Sequence, residues 1–389
     1  MVASKKISRR IFVKGSIVIG GLLAAGGTFR AFNTGVFSTG NGPAYEAWKI
    51  KYHGLKEIVN SGILAANAHN SQPWLFSIDS SSIDLFTDLT RSIGTIDPYA
   101  REMYISLGCA LENMKIAAKA EGYLPQITYF PSQENQKHVT RIKLSKAKPD
   151  IQDLYDMLKK RHMNRSPYDI NQKIPEDAIQ SLYNLNSDFE IKLFVFNDPN
   201  TMQKIGKAMV EATESIIDDK EQTSDSAQWF RQTWEDIENH KDGITTDSQG
   251  LPFYMRVLAK MLPPLSQEQN DQYWLDTLKN KQVKTAAAFG FIAVKDLSDK
   301  KQIVNSGELW QRIHLWATAN NIGMQIMNQL SERRDRELQL SITPYFGNML
   351  TEIIGSSDWH SVIQFRMGYP TLEALPSPRR PVEEVIIKV

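Results

Sequence analysis

Apolar residues after position 45 recur at two spacings, one typical of helices and one typical of strands. Residues 55–66 have helical spacing, and 153–161 is predicted to begin another helix. Short apolar or alternating runs bounded by turn residues predict strands. The predicted strands are 74–78, 83–86, 139–144, 191–196 and 288–294. The chain is therefore predicted to mix helices and strands.

Residues 107–123 follow the rhythm of a helix with one apolar face, ended by Gly122. A shift of 199 positions places Gly108 on Gly307 within a second such segment, 307–322. Gly122 then falls on Asn321, and both residue types suit the left-handed backbone that often ends a helix. This agreement indicates an internal duplication. The alternative is two unrelated core helices of similar length.

Composition narrows the class of protein. The chain has 389 residues, with 41% apolar and 23% charged residues, as expected for a globular protein of two or three domains or two halves sharing a core. A net charge of +1 gives no electrostatic footprint for a polyanion, so no nucleic-acid partner is expected. Cys109 is the single cysteine, which excludes an intrachain disulfide and a thiolate metal cluster.

The first forty residues are interpreted as an export signal. Arg9 and Arg10 are followed by Phe12, Lys14 and an apolar run at 15–29, a twin-arginine pattern. The run has 15 residues including five glycines, fewer than the ~20 apolar residues of a spanning helix. No clean cleavage site follows, so the segment is also compatible with a membrane tether. The alternative is a disordered basic N-terminus.

Export by this route implies the twin-arginine translocase as a partner and a periplasmic or outward-facing, membrane-tethered location. This route carries proteins that are already folded. A common reason to fold before export is a tightly held cofactor that is loaded in the cytoplasm. The signal therefore hints at a prosthetic group.

Two of the three segments that bear candidate chemistry lie before residue 170. Asn67, Asn70 and Gln72 lie just before a predicted strand, and their amides carry the donors and acceptors needed to read a heterocycle edge. Ordinary turn chemistry is the alternative. Arg161 and Arg165 lie four positions apart, on one face if that segment is helical, where they would suit a phosphate. A solvated basic helix end is the alternative.

The third segment is near the C-terminus, where a strand ending in Arg366-Met-Gly-Tyr-Pro370 is followed by Pro376-Ser-Pro-Arg-Arg-Pro381. The prolines predict a stiff, extended segment that carries Arg379 and Arg380. No dinucleotide-binding, Walker or α/β-hydrolase motif is present, and no two histidines have a metal-binding spacing, so no metal site is expected.

Together these three segments resemble the FMN-binding nitroreductase superfamily, over nearly the whole chain after residue 45. The spelling of the second segment, Arg161-His-Met-Asn-Arg-Ser-Pro-Tyr168, is most similar to its Acg-type, twin-arginine-exported branch. The resemblance implies an α+β nitroreductase-like fold, internally duplicated as a fused pseudo-dimer with a helical lid insertion. It implies one FMN site between a first half at 45–150 and a second half at 151–389.

The resemblance also implies roles for individual residues. Phosphate-side contacts are expected from Arg161, His162, Asn164, Arg165 and Arg379, and ring-side contacts from Asn67, Asn70 and Gln72. No catalytic side chain is named, because the flavin itself would carry the redox chemistry. The insertion at about 225–273 is the candidate lid. Its alternative is an amphipathic surface layer far from the flavin.

Three functions are compatible with these features. The leading hypothesis is an exported FMN-dependent oxidoreductase that passes electrons to an unknown small-molecule acceptor. A lid-covered protein that sequesters FMN without turnover is the second, and a cofactor-free, membrane-tethered partner protein is the third. A homodimer is compatible with all of them.

Overall fold

The computed structural model describes residues 28–388, with side chains from residue 30. The twin-arginine pattern and residues 15–27 of the apolar run lie outside this range. Across the described range, no helix has both the length and the apolar character needed to cross a membrane.

Helices account for most of the secondary structure in residues 28–388. They are α1 Thr28–Asn33, α2 Leu55–Ile63, α3 Arg101–Ala120, α4 Glu176–Asn184, α5 Pro199–Asp218, α6 Lys220–Ala227, α7 Trp234–His240, α8 Phe253–Met261, α9 Gln267–Thr277, α10 Val283–Thr285, α11 Lys300–Ala319, α12 Gln329–Leu340, α13 Tyr345–Ile354 and α14 Val382–Val385.

The strands follow the predicted positions closely. They are β1 Trp74–Ile78, β2 Ser82–Thr87, β3 Tyr123–Tyr129, β4 His138–Lys146, β5 Ile191–Phe196, β6 Phe230–Arg231, β7 Ile244–Thr245, β8 Ala288–Val294, β9 Gly323–Ile326 and β10 His360–Gly368. All five strands predicted from the sequence are present.

Two four-stranded antiparallel sheets repeat one topology. Their strand orders are β1-β2-β4-β3 and β5-β8-β10-β9. In each sheet a 20-residue helix, α3 or α11, connects the second strand of that half to the third. This confirms the predicted α+β fold with duplicated elements. The second half is longer because α5 to α10 are inserted between its first two strands.

Helices α3 and α11 pack against each other at the centre of the molecule. Gly108 and Gly307 lie in this contact, and a Cβ on either would overlap a backbone carbonyl of the opposite helix. The Cys109 thiol donates to the Gly307 carbonyl oxygen at 3.3 Å. Gly122 and Asn321 follow the two helices with φ of 78° and 58°, which confirms the predicted left-handed helix ends.

One apolar cluster runs through both halves, including Trp74 and Phe76 of the first sheet and Trp310 and Phe365 of the second. The C-terminus returns to the first half, where the Ile387 N–H donates to the Phe76 carbonyl oxygen at 2.8 Å. The two halves therefore share a core.

The predicted helix at 153–161 is wrong. The structure has only a single 3₁₀ turn at Tyr155–Met157, followed by irregular backbone up to Pro167. Hydrogen bonds within the segment form isolated turns, and just after it the Asn164 N–H donates to the Met324 carbonyl oxygen of β9 at 3.0 Å. Backbone groups that find partners on a neighbouring strand do not need a helix to satisfy them.

Candidate functional site

The amide-bearing segment is a strained turn between α2 and β1. His69, Asn70 and Gln72 have positive φ values of 50°, 54° and 54°. Such conformations are uncommon for residues other than glycine and persist where surrounding contacts determine them. One such contact is local, since the Gln72 N–H donates to Asn67 Oδ1 at 2.8 Å.

Asn70 and Gln72 bind the backbone of two distant segments. Asn70 Nδ2 donates to the carbonyl oxygens of Gly243 and Pro378 at 3.1 and 3.0 Å. Gln72 Nε2 donates to the Lys241 carbonyl oxygen at 2.8 Å, and Gln72 Oε1 accepts from the Arg380 N–H at 2.9 Å. The turn is therefore held against both the insertion and the C-terminal segment.

Arg161 reaches into the same region from irregular backbone. It is 2% exposed, and its Nη2 donates to the Leu64 carbonyl oxygen at 2.8 Å. Its Nη1 lies 3.4 Å from Nδ1 of His314 on α11, while its Nε has no hydrogen-bond partner. Arg165 donates from Nη1 to the Ser248 carbonyl oxygen at 3.1 Å. The alternative of a solvated basic helix end is wrong, because Arg161 is buried and the backbone is not helical.

Arg379 completes the group from the C-terminal segment. It is buried, donates to Asn70 Oδ1, and donates to the Ala65 carbonyl oxygen at 3.1 Å. Its guanidinium carbon lies 5.0 Å from the centroid of the Trp48 ring, and its Nε has no partner. Arg380 lies beside it and binds the Gln72 carbonyl oxygen at 2.6 Å.

Arg161, Arg165 and Arg379 have no compensating anion within the described part of the chain. No carboxylate in residues 30–388 lies within 4.0 Å of Arg161, Arg165 or Arg379. Buried charges are normally paired, because taking an isolated charge out of water is costly. The cluster therefore favours binding of an external anion.

The pKa values of these side chains reflect the same excess of positive charge. Burial lowers the pKa of Arg161 to about 10, and burial with repulsion from Arg366 does the same for Arg165. Burial, together with repulsion from Arg161, lowers the pKa of Arg379. Burial and the charges of Arg161 and Arg379 lower the pKa of His162 to about 3, so this imidazole is neutral at pH 7.

Arg312 of α11 makes a similar backbone contact but has a carboxylate partner. Arg161 binds the carbonyl oxygen of Leu64, the residue after α2, and Arg312 binds that of Leu185, the residue after α4, at 3.0 Å. Glu112 accepts from Arg312 Nε at 2.7 Å. Arg312 is thus part of an ion pair, whereas Arg161 has no carboxylate partner among the described residues.

A small cavity joins the candidate residues. Of those predicted from the sequence, the ones that line it are Asn67, Asn70, Arg161, His162, Arg165 and Arg379. Gln72 and Asn164 do not line it: Gln72 is held by backbone groups, and Asn164 donates to the Leu372 carbonyl oxygen at 2.9 Å. The cavity volume is about 40 Å³, whereas pockets for small-molecule ligands typically have about 300–1,000 Å³.

The insertion closes the cavity. Gly243, Ile244 and Ser248 contribute to the lining, and the Gly243 N–H donates to the Asn70 carbonyl oxygen at 3.1 Å. Asp242 fixes this turn by accepting from Arg91 and Arg231, each at 2.8 Å. The alternative of a surface layer far from the site is therefore wrong for residues 241–250.

Sequence reasoning missed several contributors. Trp48 and Ser377 line the cavity, and His314 contacts Arg161 from α11. The turn at Asp242-Gly243 can be recognised in the sequence. No local pattern marks Trp48, Ser377 or His314, because only packing brings them to the cavity. Within residues 28–388, no group of three or more His, Cys, Asp or Glu side chains is arranged to hold a metal ion.

Comparison with known proteins gives partial relatives. No family model matches the chain. It is 26% identical over 116 residues to a Mycobacterium tuberculosis protein provisionally named an NAD(P)H nitroreductase, covering 29% of this chain and 34% of that protein. It is 29% identical over 93 residues to the M. tuberculosis protein acg, which carries the same provisional name, covering 24% and 28%. The chain thus spans about a third of the length of these relatives. The sequence similarity supports a relationship to the nitroreductase-like superfamily.

Among solved structures, the FMN-dependent nitroreductase NfnB of Mycobacterium smegmatis, in complex with NADPH, is similar. The TM-score is 0.39 at 12% identity, over 62% of this chain and 100% of that one. A similarity at this level carries no argument about ligands.

Proposed function

We propose that this chain is an FMN-dependent oxidoreductase of the nitroreductase-like superfamily. One observation carries the proposal: three arginines from two distant segments, Arg161 and Arg165 on one and Arg379 on the other, converge without a carboxylate beside a turn rich in amide side chains. A phosphate monoester supplies the missing negative charge, and guanidinium groups bind it with charge-assisted hydrogen bonds. The partial nitroreductase relatives support the same assignment.

The residues present fit FMN in charge and donor type. Arg161, Arg165 and Arg379 would bind the phosphate, and the unpartnered Nε atoms of Arg161 and Arg379 are donors that an anion satisfies. Neutral His162 would lie beside it, while Asn67 and Asn70 would face the ring. Gln72 and Asn164 would support these contacts by fixing the turns that carry them.

The flavin, when bound, supplies reversible hydride or electron transfer, and the protein supplies its position and electrostatic environment. The acceptor is a small molecule of unknown identity. The insertion would act as a lid, because a cavity of about 40 Å³ admits a flavin only after the contacts of residues 241–248 have opened.

The test begins with the purified full-length protein. We expect a flavin absorption spectrum, release of FMN on heating as identified by mass, reduction by NADPH or NADH, and reoxidation by a small acceptor such as a quinone or nitroaromatic compound. Protein that neither retains FMN nor binds it when FMN is added would contradict the proposal. This outcome would favour the cofactor-free partner protein instead.

The closed cavity favours one second candidate, a protein that sequesters FMN without turnover. Such a protein would be yellow, but its flavin would be reduced by dithionite only, with no turnover of any acceptor. Stopped-flow reduction by NADPH and by dithionite on the same sample separates the two functions.

We also propose export by the twin-arginine translocase, with residues 1–40 as the signal or tether and a periplasmic or outward-facing membrane location. The support is the sequence of residues 8–29. The paired substitutions Arg9→Lys and Arg10→Lys should retain the protein in the cytoplasm, as measured by cell fractionation. Normal export of this variant would contradict the assignment.

A further inference from the structure

Helix α8 of the insertion exposes apolar side chains to solvent and turns its charged side chains toward the protein. Tyr254 and Leu258 lie four positions apart on one side of the helix, and Leu262 follows its end in extended backbone; they are 63%, 48% and 54% exposed. The charged residues of the helix face the protein, where Lys260 Nζ lies 2.6 Å and Arg256 Nη1 3.1 Å from the carboxylate of Asp247. A surface helix normally turns its apolar side inward.

The apolar surface continues onto the beginning of the described chain. Arg30 of α1 donates from Nε to the Met261 carbonyl oxygen at 2.9 Å, and Lys260 Nζ donates to the Gly35 carbonyl oxygen at 3.1 Å. Phe32 and Phe37, which flank these contacts, are 64% and 57% exposed, with ring centroids 5.4 Å apart. Phe253 is exposed beside Tyr254. Exposed apolar side chains on two segments in contact with each other mark a candidate interaction surface.

The chain that precedes this patch indicates what covers it. Residues 15–29 are uncharged and apolar, and they end directly at Arg30, which contacts the end of α8. Fifteen residues are too few to span a bilayer, which takes about 20. A weak membrane attachment usually needs a second contact to become stable. Aromatic and leucine side chains on a helix are typical of such an interfacial contact.

We propose that this patch, formed by Phe32, Phe37, Phe253, Tyr254, Leu258 and Leu262, binds the surface of a lipid bilayer. In this arrangement α8 of the insertion lies in the membrane interface. Asp247, which holds the inner side of α8, is followed by Ser248, whose carbonyl oxygen binds Arg165. The patch therefore lies on the outer side of the segment that closes the cation cavity.

The test uses the full-length protein and vesicles of phosphatidylethanolamine and phosphatidylglycerol. The triple variant Tyr254→Ser, Leu258→Ser, Leu262→Ser should partition into vesicles about tenfold less than the original protein in co-sedimentation. The control is Ile151→Ser, Ile170→Ser, Phe189→Ser, three apolar residues elsewhere that are more exposed than those of the patch, and it should partition as the original does. Equal partitioning of the triple variant and the original would overturn the proposal.

A second readout reports the patch itself. Cys109 is buried, so Leu258→Cys can be labelled selectively with an environment-sensitive dye. Its emission should shift to the blue when vesicles are added, whereas a dye at Phe189→Cys should not respond. Analytical sedimentation tests whether a second copy of this chain binds the patch instead. A dimer that dissociates in the triple variant, with no dye response to vesicles, would assign the patch to a second copy and overturn the proposal.

Discussion

Gly108 and Gly307 occupy equivalent positions in the contact between α3 and α11, 199 residues apart. A Cβ on Gly108 would overlap the Val304 carbonyl oxygen, and a Cβ on Gly307 would overlap that of Ile105. Ile105 and Val304 are separated by the same 199 positions. The contact is thus reciprocal, as in an interface between two copies related by a twofold axis.

Gly108→Ala should destabilise the protein by about 3 kcal/mol, because two helix backbones at this distance leave no room for a methyl group. Urea unfolding of the purified protein measures the change. Gly347→Ala on α13 is the matched control, since its nearest neighbour would lie 3.4 Å away. That variant should be neutral or more stable by about 0.5–1 kcal/mol. Equal effects at both positions would refute the close contact.

Arg161→Met and Arg312→Met should act in opposite directions on the flavin-free protein. Removing Arg161 relieves an uncompensated buried charge and should raise the melting temperature. Removing Arg312 leaves Glu112 with Lys115 as its remaining partner in a partly exposed cluster, and should cost about 1 kcal/mol. The Arg161 variant should also bind FMN more weakly by about 1.5–3 kcal/mol, as measured by fluorescence titration. Unchanged FMN binding would reassign Arg161 to a structural role.

Asp242→Asn should loosen the insertion, because Arg91 and Arg231 would lose their shared carboxylate. Exchange of the Gly243 and Ile244 amide hydrogens, and of bound FMN with free FMN, should each become roughly tenfold faster. Hydrogen exchange by mass spectrometry and flavin displacement measure the two rates. Asp276→Asn on exposed α9 is the control and should leave both unchanged. Faster amide exchange without faster flavin exchange would show that the insertion does not gate the site.

His162 should make the protein less stable in acid. Its pKa is about 3 in the folded protein, against about 6.5 in an unfolded chain. The unfolded state therefore binds more protons between these values, and the free energy of unfolding rises with pH across this window. His162→Gln should remove about 2 kcal/mol of the stability difference between pH 4.5 and pH 7. Equal pH dependence of urea unfolding in the original protein and in His162→Gln would contradict the buried, neutral imidazole.

Inorganic phosphate extends this prediction. An anion beside Arg161 and Arg379 offsets the two charges that lower the His162 pKa, so added phosphate should raise it. An NMR titration of the His162 ring with and without phosphate measures the shift. No response at saturating phosphate would contradict an anion site here.

Local pattern was enough to place α2, most of the two central helices α3 and α11, and several strands. The bounds of β1, β5 and β8 coincide with the predicted strands, because side-chain alternation and turn residues act over a few positions. The C-terminal ends of α3 and α11 could also be predicted, because glycine and asparagine, here Gly122 and Asn321, are the residue types that tolerate a left-handed backbone. The failure at 153–161 marks the limit: isolated turns replace the helix there, and the chain that follows pairs with β9 through Asn164.

By itself, the sequence determined the kinds of element, the repeat and the chemical character of the three polar segments. Tertiary structure alone decided that Arg161 is buried without a carboxylate whereas Arg312 has Glu112, and that the charged side of α8 faces inward. Charge compensation depends on distances between residues far apart in the chain. No local pattern encodes those distances, because packing of the two halves sets them.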